Sequence, residues 1–206
     1  MAEACTRPRA VLASGNRGKL VELQALLAPL NFELRDLSAF ALEGPPEPAL
    51  TFVENALIKA RHACEHTGWP SIADDSGIAV AALKGQPGVR SARYAGAEAT
   101  DTQNLEKLLE DLAVTVDRDR YATFHTCVVY MRHAHDPAPL ITHGRWHGVV
   151  LDGPSGDAGF GYDPVFGVPE RDLCSAAALS FEQKNQLSHR GKALRAMVEL
   201  LSQELA

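Results

Sequence analysis

Ser71-Ile72-Ala73-Asp74-Asp75-Ser76-Gly77 (SIADDSG) is the stretch from which the rest of the chain is best read. An apolar strand runs into two adjacent carboxylates, a hydroxyl and a glycine. Asp, Ser and Gly are residues that turns select, so the segment reads as a strand-to-strand turn. It is also the best place in the chain to hold a metal. A Mg²⁺ ion takes hard oxygen ligands and keeps several waters, so one or two carboxylates at a rigid strand end suit it, with phosphate oxygens completing the shell.

Outward from this stretch, strands alternate with amphipathic helices. Upstream, Thr51 opens a helix with Glu54 three residues on, a capping-box spacing, and Val53, Ala56, Leu57, Ala60 and Cys64 recur at helical spacing up to Gly68. Asn55 and Lys59 fall on another face of it. Nearer the N-terminus, Arg9 to Ser14 reads as a strand and Lys19 to Leu27 as a helix stopped by Pro29, while Leu37 to Leu50 is a loop rich in Pro and Gly.

Downstream, Ile78 to Leu83 forms the second arm of the acidic turn, followed by the Gly-Pro loop GQPGVRSARYAG. A helix follows with Leu105, Leu108, Leu109 and Leu112 on one stripe. Tyr121 to Arg132 and Leu140 to Val150 read as a long antiparallel ribbon joined across HAHDPAP. The Gly-rich LDGPSGDAGFGYDPVFG interrupts regular structure, and Ser188 to Leu201 closes the chain as a helix. The pattern is α/β, with 1–206 as a single domain of two lobes.

With 206 residues, 46% of them hydrophobic and 22% charged, the chain can bury one sizeable core, which excludes disordered and fibrous classes. No apolar run approaches the ~18 residues of a membrane span, and the N-terminus lacks a secretory apolar core. A cytoplasmic protein with no membrane association is expected. Cys5, Cys64, Cys127 and Cys174 are scattered without a CxxC pair, as suits reduced packing residues. The formal charge of −6 argues against nucleic-acid binding. An anionic substrate therefore needs local basic groups or a metal.

Three further segments carry chemistry. Ser14-Gly15-Asn16-Arg17-Gly18-Lys19 joins the first strand to the first helix, where free backbone N–H groups and the helix dipole attract phosphate, although Ser14 or Asn16 also serves as a simple helix cap. The GxxxxGK[ST] spacing is absent, so it is not a Walker loop. GFGYDPVF (Gly159 to Phe166) sets aromatics among glycines, which offers either a stacking face for a base or an anchor for the loop on the core. Lys184 and Ser188-His189-Arg190 gather donors for a keto oxygen or a phosphate at a helix entrance, where Ser188 also reads as the N-cap. A zinc site on His133, His135, His143 and His147 would lack a Cys or carboxylate frame, and His133 and His135 read as solvated residues at a strand end. Neither Ser76 nor Ser188 sits in a G-x-S-x-G elbow of a serine hydrolase.

Taken in order, SGNRGK, TFVENALIKA, ADDSG, PGVRSARYAG, GFGYDPVF and KNQLSHRGKAL resemble the inosine triphosphate pyrophosphatase family, specifically its bacterial XTP/dITP diphosphatases, from about Val11 to Met197. The resemblance implies an elongated mixed central β-sheet flanked by helices, two lobes with a nucleotide cleft between them, and a homodimer. It implies hydrolysis of dITP, ITP and XTP to the monophosphate and pyrophosphate.

Carried over by motif, Ser14, Gly15, Asn16, Arg17, Gly18 and Lys19 would bind the triphosphate. Asp75 would be general base and Mg²⁺ ligand, with Glu47 the second metal contact, Ser76 beside the substrate, and Asp74 and Lys59 in support. Phe160, Gly161, Tyr162 and Asp163 would cradle the nucleoside, Lys184 would reach base or phosphates, and His189 with Arg190 would read the purine edge. The alternative is a purine-nucleotide sensor without turnover.

Overall fold

The computed structural model describes residues 7–14, 17–117 and 119–204, with only the backbone of Arg17. Cys5, Gly15 and Asn16 lie outside the described residues. Strand β1 (Arg9–Leu12) leads through α1 (Arg17–Leu27) to β2 (Glu33–Asp36), and α2 (Phe52–Thr67) leads to β3 (Ser71–Val80). Then come α3 (Asp101–Val114), β4 (Tyr121–Met131), β5 (Leu140–Val150), β6 (Phe166–Val168), β7 (Cys174–Ser175), α4 (Phe181–Leu187) and α5 (His189–Glu204).

The sheet order is β2-β1-β3-β4-β5-β6-β7. β1 pairs in parallel with β2 and with β3, and β6 pairs antiparallel with β5 and β7, so the sheet is mixed and accompanied by helices, the expected α/β class.

The chain divides into two compact units. One comprises the residues up to Asp75, Cys127–Thr142 and those from Ala193 onward; the other comprises Ser76–Thr126 and His143–Lys192. In the first, strand alternation sends Ala10, Leu12, Ile72 and Val128 into one core with Leu23 and Leu27 of α1 and Leu194 and Met197 of α5. Val11, Ala13, Ala73 and Cys127 enter another with Ala56, Ala60 and Ala63 of α2. Both faces of β1 and β3, which pair in parallel, are therefore buried here. In the second unit, Ile78, Val80, Phe124, Trp146 and Phe166 pack with Leu105, Leu108 and Leu112 of α3. On β5 the exposed His143, Arg145 and His147 alternate with buried residues.

The structure corrects the sequence reading at four places. Asp74 and Asp75 are not in a turn: Ser71 to Val80 is one ten-residue strand. Turn-favouring side chains are overridden there because each finds a partner: Lys19 for Asp74, Lys59 for Asp75 and Arg190 for Ser76. Gly77 meets a packing demand, since a Cβ on it would lie 2.3 Å from the Gly88 carbonyl oxygen and 2.5 Å from Ser91 Oγ.

β2 escaped notice because a short, charged edge strand carries little periodicity and exists by pairing with β1. The expected closing helix is α5, but a separate helix that was not expected, α4, precedes it, with Ser188 between them: its N–H donates to the Lys184 carbonyl of α4, and its Oγ accepts the Gly191 N–H of α5, 3.1 Å away. Ser188 thus does cap the last helix. At Thr51, Oγ1 accepts the Glu54 N–H and donates to the Glu54 carboxylate at 2.6 Å, so the cap joins hydroxyl to carboxylate instead of returning Glu54 to the Thr51 N–H. The reciprocal box forms at Thr100 and Gln103.

Candidate functional site

In the first unit, β3 presents Asp74 and Asp75 on successive positions, so their side chains leave by opposite faces. Asp74 meets α1, with Lys19 Nζ 3.0 Å from its Oδ2. Asp75 meets α2, with Lys59 Nζ 3.0 Å from its Oδ1. The same ammonium lies 2.9 Å from Glu47 Oε1. Asn55, one helical turn before Lys59, donates its amide to Asp75 Oδ2 at 3.3 Å. Asp74, Asp75, Asn55 and Lys59 are all buried.

Burial depresses the Lys59 ammonium, but the fields of Asp75, Asp74 and Glu47 outweigh it and carry the pKa above its ordinary value. Asp75 is pushed above the usual carboxylate range by burial, which Lys59 and Lys19 offset only in part and to which Glu47 adds. Burial, with the fields of Asp75 and Asp74, pushes the Cys127 thiol up to about 12. It is a packing residue, as the scattered cysteines suggested.

The donor chemistry fits Mg²⁺. Three carboxylates, Glu47, Asp74 and Asp75, stand against two ammonium groups, Lys19 and Lys59, an excess of one negative charge. The three carboxylates are hard oxygen donors. Among the described residues no three His, Cys, Asp or Glu side chains are grouped to hold a metal by themselves. An ion that takes one or two carboxylates and fills its shell with water and phosphate oxygens needs no such group. Ser14 and Gly18 flank the start of α1, and Lys19 in its first turn is paired with Asp74.

In the second unit, Phe160 is the focus. Lys184 Nζ lies 4.4 Å and Arg190 Cζ 5.6 Å from the centre of its ring, both at cation–π range. Asp163 Oδ2 accepts from Lys184 Nζ at 2.7 Å and from the Phe160 N–H at 2.9 Å, so one buried carboxylate holds both the cation and the loop. Arg190 Nη2 donates to Ser76 Oγ at 3.0 Å. The His189 ring stacks on Phe124, with centroids 4.8 Å apart and planes within 7°.

Two residues of the GFGYDPVF loop turn elsewhere. Tyr162 is buried in the core with its hydroxyl donating to the Ser91 carbonyl at 2.8 Å, and the Gly161 N–H donates to Asp101 Oδ2 at 2.9 Å. They fix the loop, and Phe160 alone keeps a partly exposed ring there.

The structure thus gathers Glu47, Lys59 and Asp75 at one place, Lys19 and Asp74 at another on the same strand, and Ser76, Phe160, Asp163, Lys184 and Arg190 at a third. The sequence reading missed Asn55, Ser91 and Phe124 as members of these clusters. Asn55 had a signal: it stands four residues before Lys59, one helical turn away on the same side of α2. Phe124 had none, because its partner His189 is remote in sequence.

The model of the Ham1 family matches residues 10–200 of the chain. A dITP/XTP pyrophosphatase of Pectobacterium atrosepticum is 52% identical over 193 residues, covering 94% of this chain and 98% of the relative. One of Yersinia pestis is 53% identical over 191 residues, covering 93% and 96%. Among solved structures, a HAM1 protein from Coxiella burnetii superposes with a TM-score of 0.89 at 47% identity, covering 95% of this chain and 99% of that one.

Proposed function

The chain belongs to the Ham1 family, and from that premise we propose that it is a nucleoside-triphosphate diphosphatase. It hydrolyses the non-canonical purine nucleotides dITP, ITP and XTP to the monophosphate and pyrophosphate, removing them from the nucleotide pool. Relatives about half identical over nearly their whole length bear the name dITP/XTP pyrophosphatase. The observation that carries the reading is the buried Asp75 carboxylate, held between Lys59 and Asn55 with Glu47 on the same ammonium.

The reaction breaks the anhydride between the α- and β-phosphates, with water attacking the α-phosphorus. Asp75, a carboxylate made more basic by burial, takes the proton from that water. Lys19 and Lys59 donate to the phosphate oxygens, assisted by the backbone from Ser14 to Lys19. Glu47 and Asp75 would hold Mg²⁺, which would supply neutralisation of the phosphate charge.

The second unit selects the base. Phe160 offers a stacking face, and Lys184, His189 and Arg190 supply donors. A 6-keto oxygen accepts from them, whereas the 6-amino group of adenine presents hydrogens and leaves a donor unpaired. Asp163, Gly161 and Tyr162 hold this wall in shape. The enzyme is expected to act as a cytoplasmic homodimer, on the family resemblance. Among the described residues no helix is long and apolar enough to cross a membrane.

The test is incubation of the purified protein with Mg²⁺ and, separately, dITP, XTP, dATP and dGTP, with pyrophosphate and orthophosphate quantified. Pyrophosphate from dITP and XTP, with little from the normal nucleotides, supports the proposal. Saturable dITP binding with no product would replace it with a sensor.

A further inference from the structure

Glu47 lies in a stretch with no architecture of its own. Residues 43–50 form neither helix nor strand, and Pro45, Pro46 and Pro48 remove backbone donors there. Such a segment cannot hold a carboxylate in a fixed place unless something outside it does.

Asn55 is that fixture. It is fully buried on α2, and its amide is shared between the Glu47 segment and the strand carboxylate. Oδ1 accepts the Ala49 N–H at 3.0 Å, while Nδ2 donates to the Ala49 carbonyl at 3.4 Å and to Asp75 Oδ2 at 3.3 Å. The orientation of the amide follows from chemistry, because a carboxylate and a carbonyl can only accept. Ala49 is therefore gripped at both its backbone groups, two residues from Glu47. Lys59, on the same helix four residues on, then bridges Glu47 and Asp75 through one ammonium.

We propose that Asn55 is a positioning residue, which ties the Glu47 segment to Asp75 so that the two carboxylates present their oxygens as one divalent-cation site. The inference rests on the proposed diphosphatase reading for what that site does. Asn55 itself touches neither substrate nor metal. Groups that orient ligands from behind typically change metal affinity or activity by about 10- to 100-fold when removed, and that is the expected scale here.

The deciding experiment is a double-mutant cycle on the full chain with Asn55→Ala, Glu47→Gln and the pair. Two quantities are read: Mn²⁺ binding by electron paramagnetic resonance in the presence of the α,β-imido analogue of ITP, and the Mg²⁺ concentration for half-maximal hydrolysis of dITP. Asn55→Ala is expected to weaken Mn²⁺ binding roughly 10-fold and to raise the Mg²⁺ requirement in step. On the Glu47→Gln background it should add little, because the ligand it positions is already lost. Asn55→Ser, which keeps a small polar group but cannot span Ala49 and Asp75, serves if the alanine variant does not fold, and the same result is expected.

Losses that simply multiply in the pair, or a metal requirement unchanged in a folded Asn55 variant, would overturn the inference. The two readings fail differently. A wild-type protein that binds Mn²⁺ with the analogue yet releases no pyrophosphate from dITP defeats the diphosphatase reading, while the binding cycle still decides the role of Asn55. An active wild type with a multiplicative cycle defeats only the positioning role.

Discussion

Asp74 and Asp75 are consecutive on one strand, yet their carboxylates meet lysines of different helices, Lys19 of α1 and Lys59 of α2, each at 3.0 Å. The cause is the two-residue period of a strand, which sends neighbours to opposite faces. Two adjacent acids in a turn would share one solvated environment. Here each has its own cation, and only Asp75 shares that cation with Glu47. The two carboxylates therefore occupy different environments: Asp75 shares Lys59 with Glu47, and Asp74 pairs with Lys19 in the first turn of α1.

Asp75→Asn is expected to reduce dITP turnover by roughly 10²- to 10⁴-fold, the scale of a lost general base. The amide keeps the shape of the carboxylate, so far-ultraviolet circular dichroism should be unchanged. A folded Asp75→Asn protein with near-normal turnover would remove this residue from the mechanism.

Arg190→Ala should act on choice among bases more than on rate. Its guanidinium donates to Ser76 and lies over Phe160, in the unit assigned to the base. The expected result is a fall of about 10-fold or more in the ratio of kcat/KM for dITP over dATP, the cost of one lost selective hydrogen bond. An equal loss on every nucleotide would assign Arg190 to phosphate binding instead.

Gly77→Ala tests the close approach at the site strand. Its Cβ would lie 2.3 Å from the Gly88 carbonyl oxygen, a backbone atom that cannot swing aside. Overpacking of this kind costs about 1–3 kcal/mol. Urea unfolding should show a lower midpoint at unchanged slope, and an unaltered midpoint would mean that the Gly88 loop gives way freely.

Asp136 organises the connection between β4 and β5. Its carboxylate accepts from the Arg132 guanidinium and N–H and from the Ala138 N–H, at 2.9 to 3.0 Å. The Arg132 side chain, ahead of these backbone donors and against partial burial, holds it well below the usual carboxylate range. A depressed folded pKa stabilises above the unfolded value of about 3.9, and that stability is lost as pH falls toward the folded value. Asp136→Asn should cost about 1 kcal/mol at pH 7 and show a shallower loss of thermal midpoint as pH falls below about 3.9. Parallel curves for both proteins would assign the acid sensitivity to other carboxylates.

Much of the molecule is legible along the chain, because its signals are local. The Thr51 cap, the apolar stripes of α2 and α3 and the β-rich arms of β4 and β5 each depend on residues a few positions apart. So do the ordered motifs that point to the family, since the identity of a donor or a carboxylate needs no coordinates. Tertiary structure decided the rest. Whether Asp74 and Asp75 turn or continue as strand depended on lysines 55 and 16 positions away in sequence, whose buried pairing outweighs turn propensity. β2 needed the partner β1, Tyr162 needed the Ser91 carbonyl to become a core residue, and Asn55 needed both the Ala49 backbone and Asp75 to become a clamp. A sequence names the groups, but a buried polar group takes its place from whichever distant partner satisfies it, and only the folded chain brings that partner near.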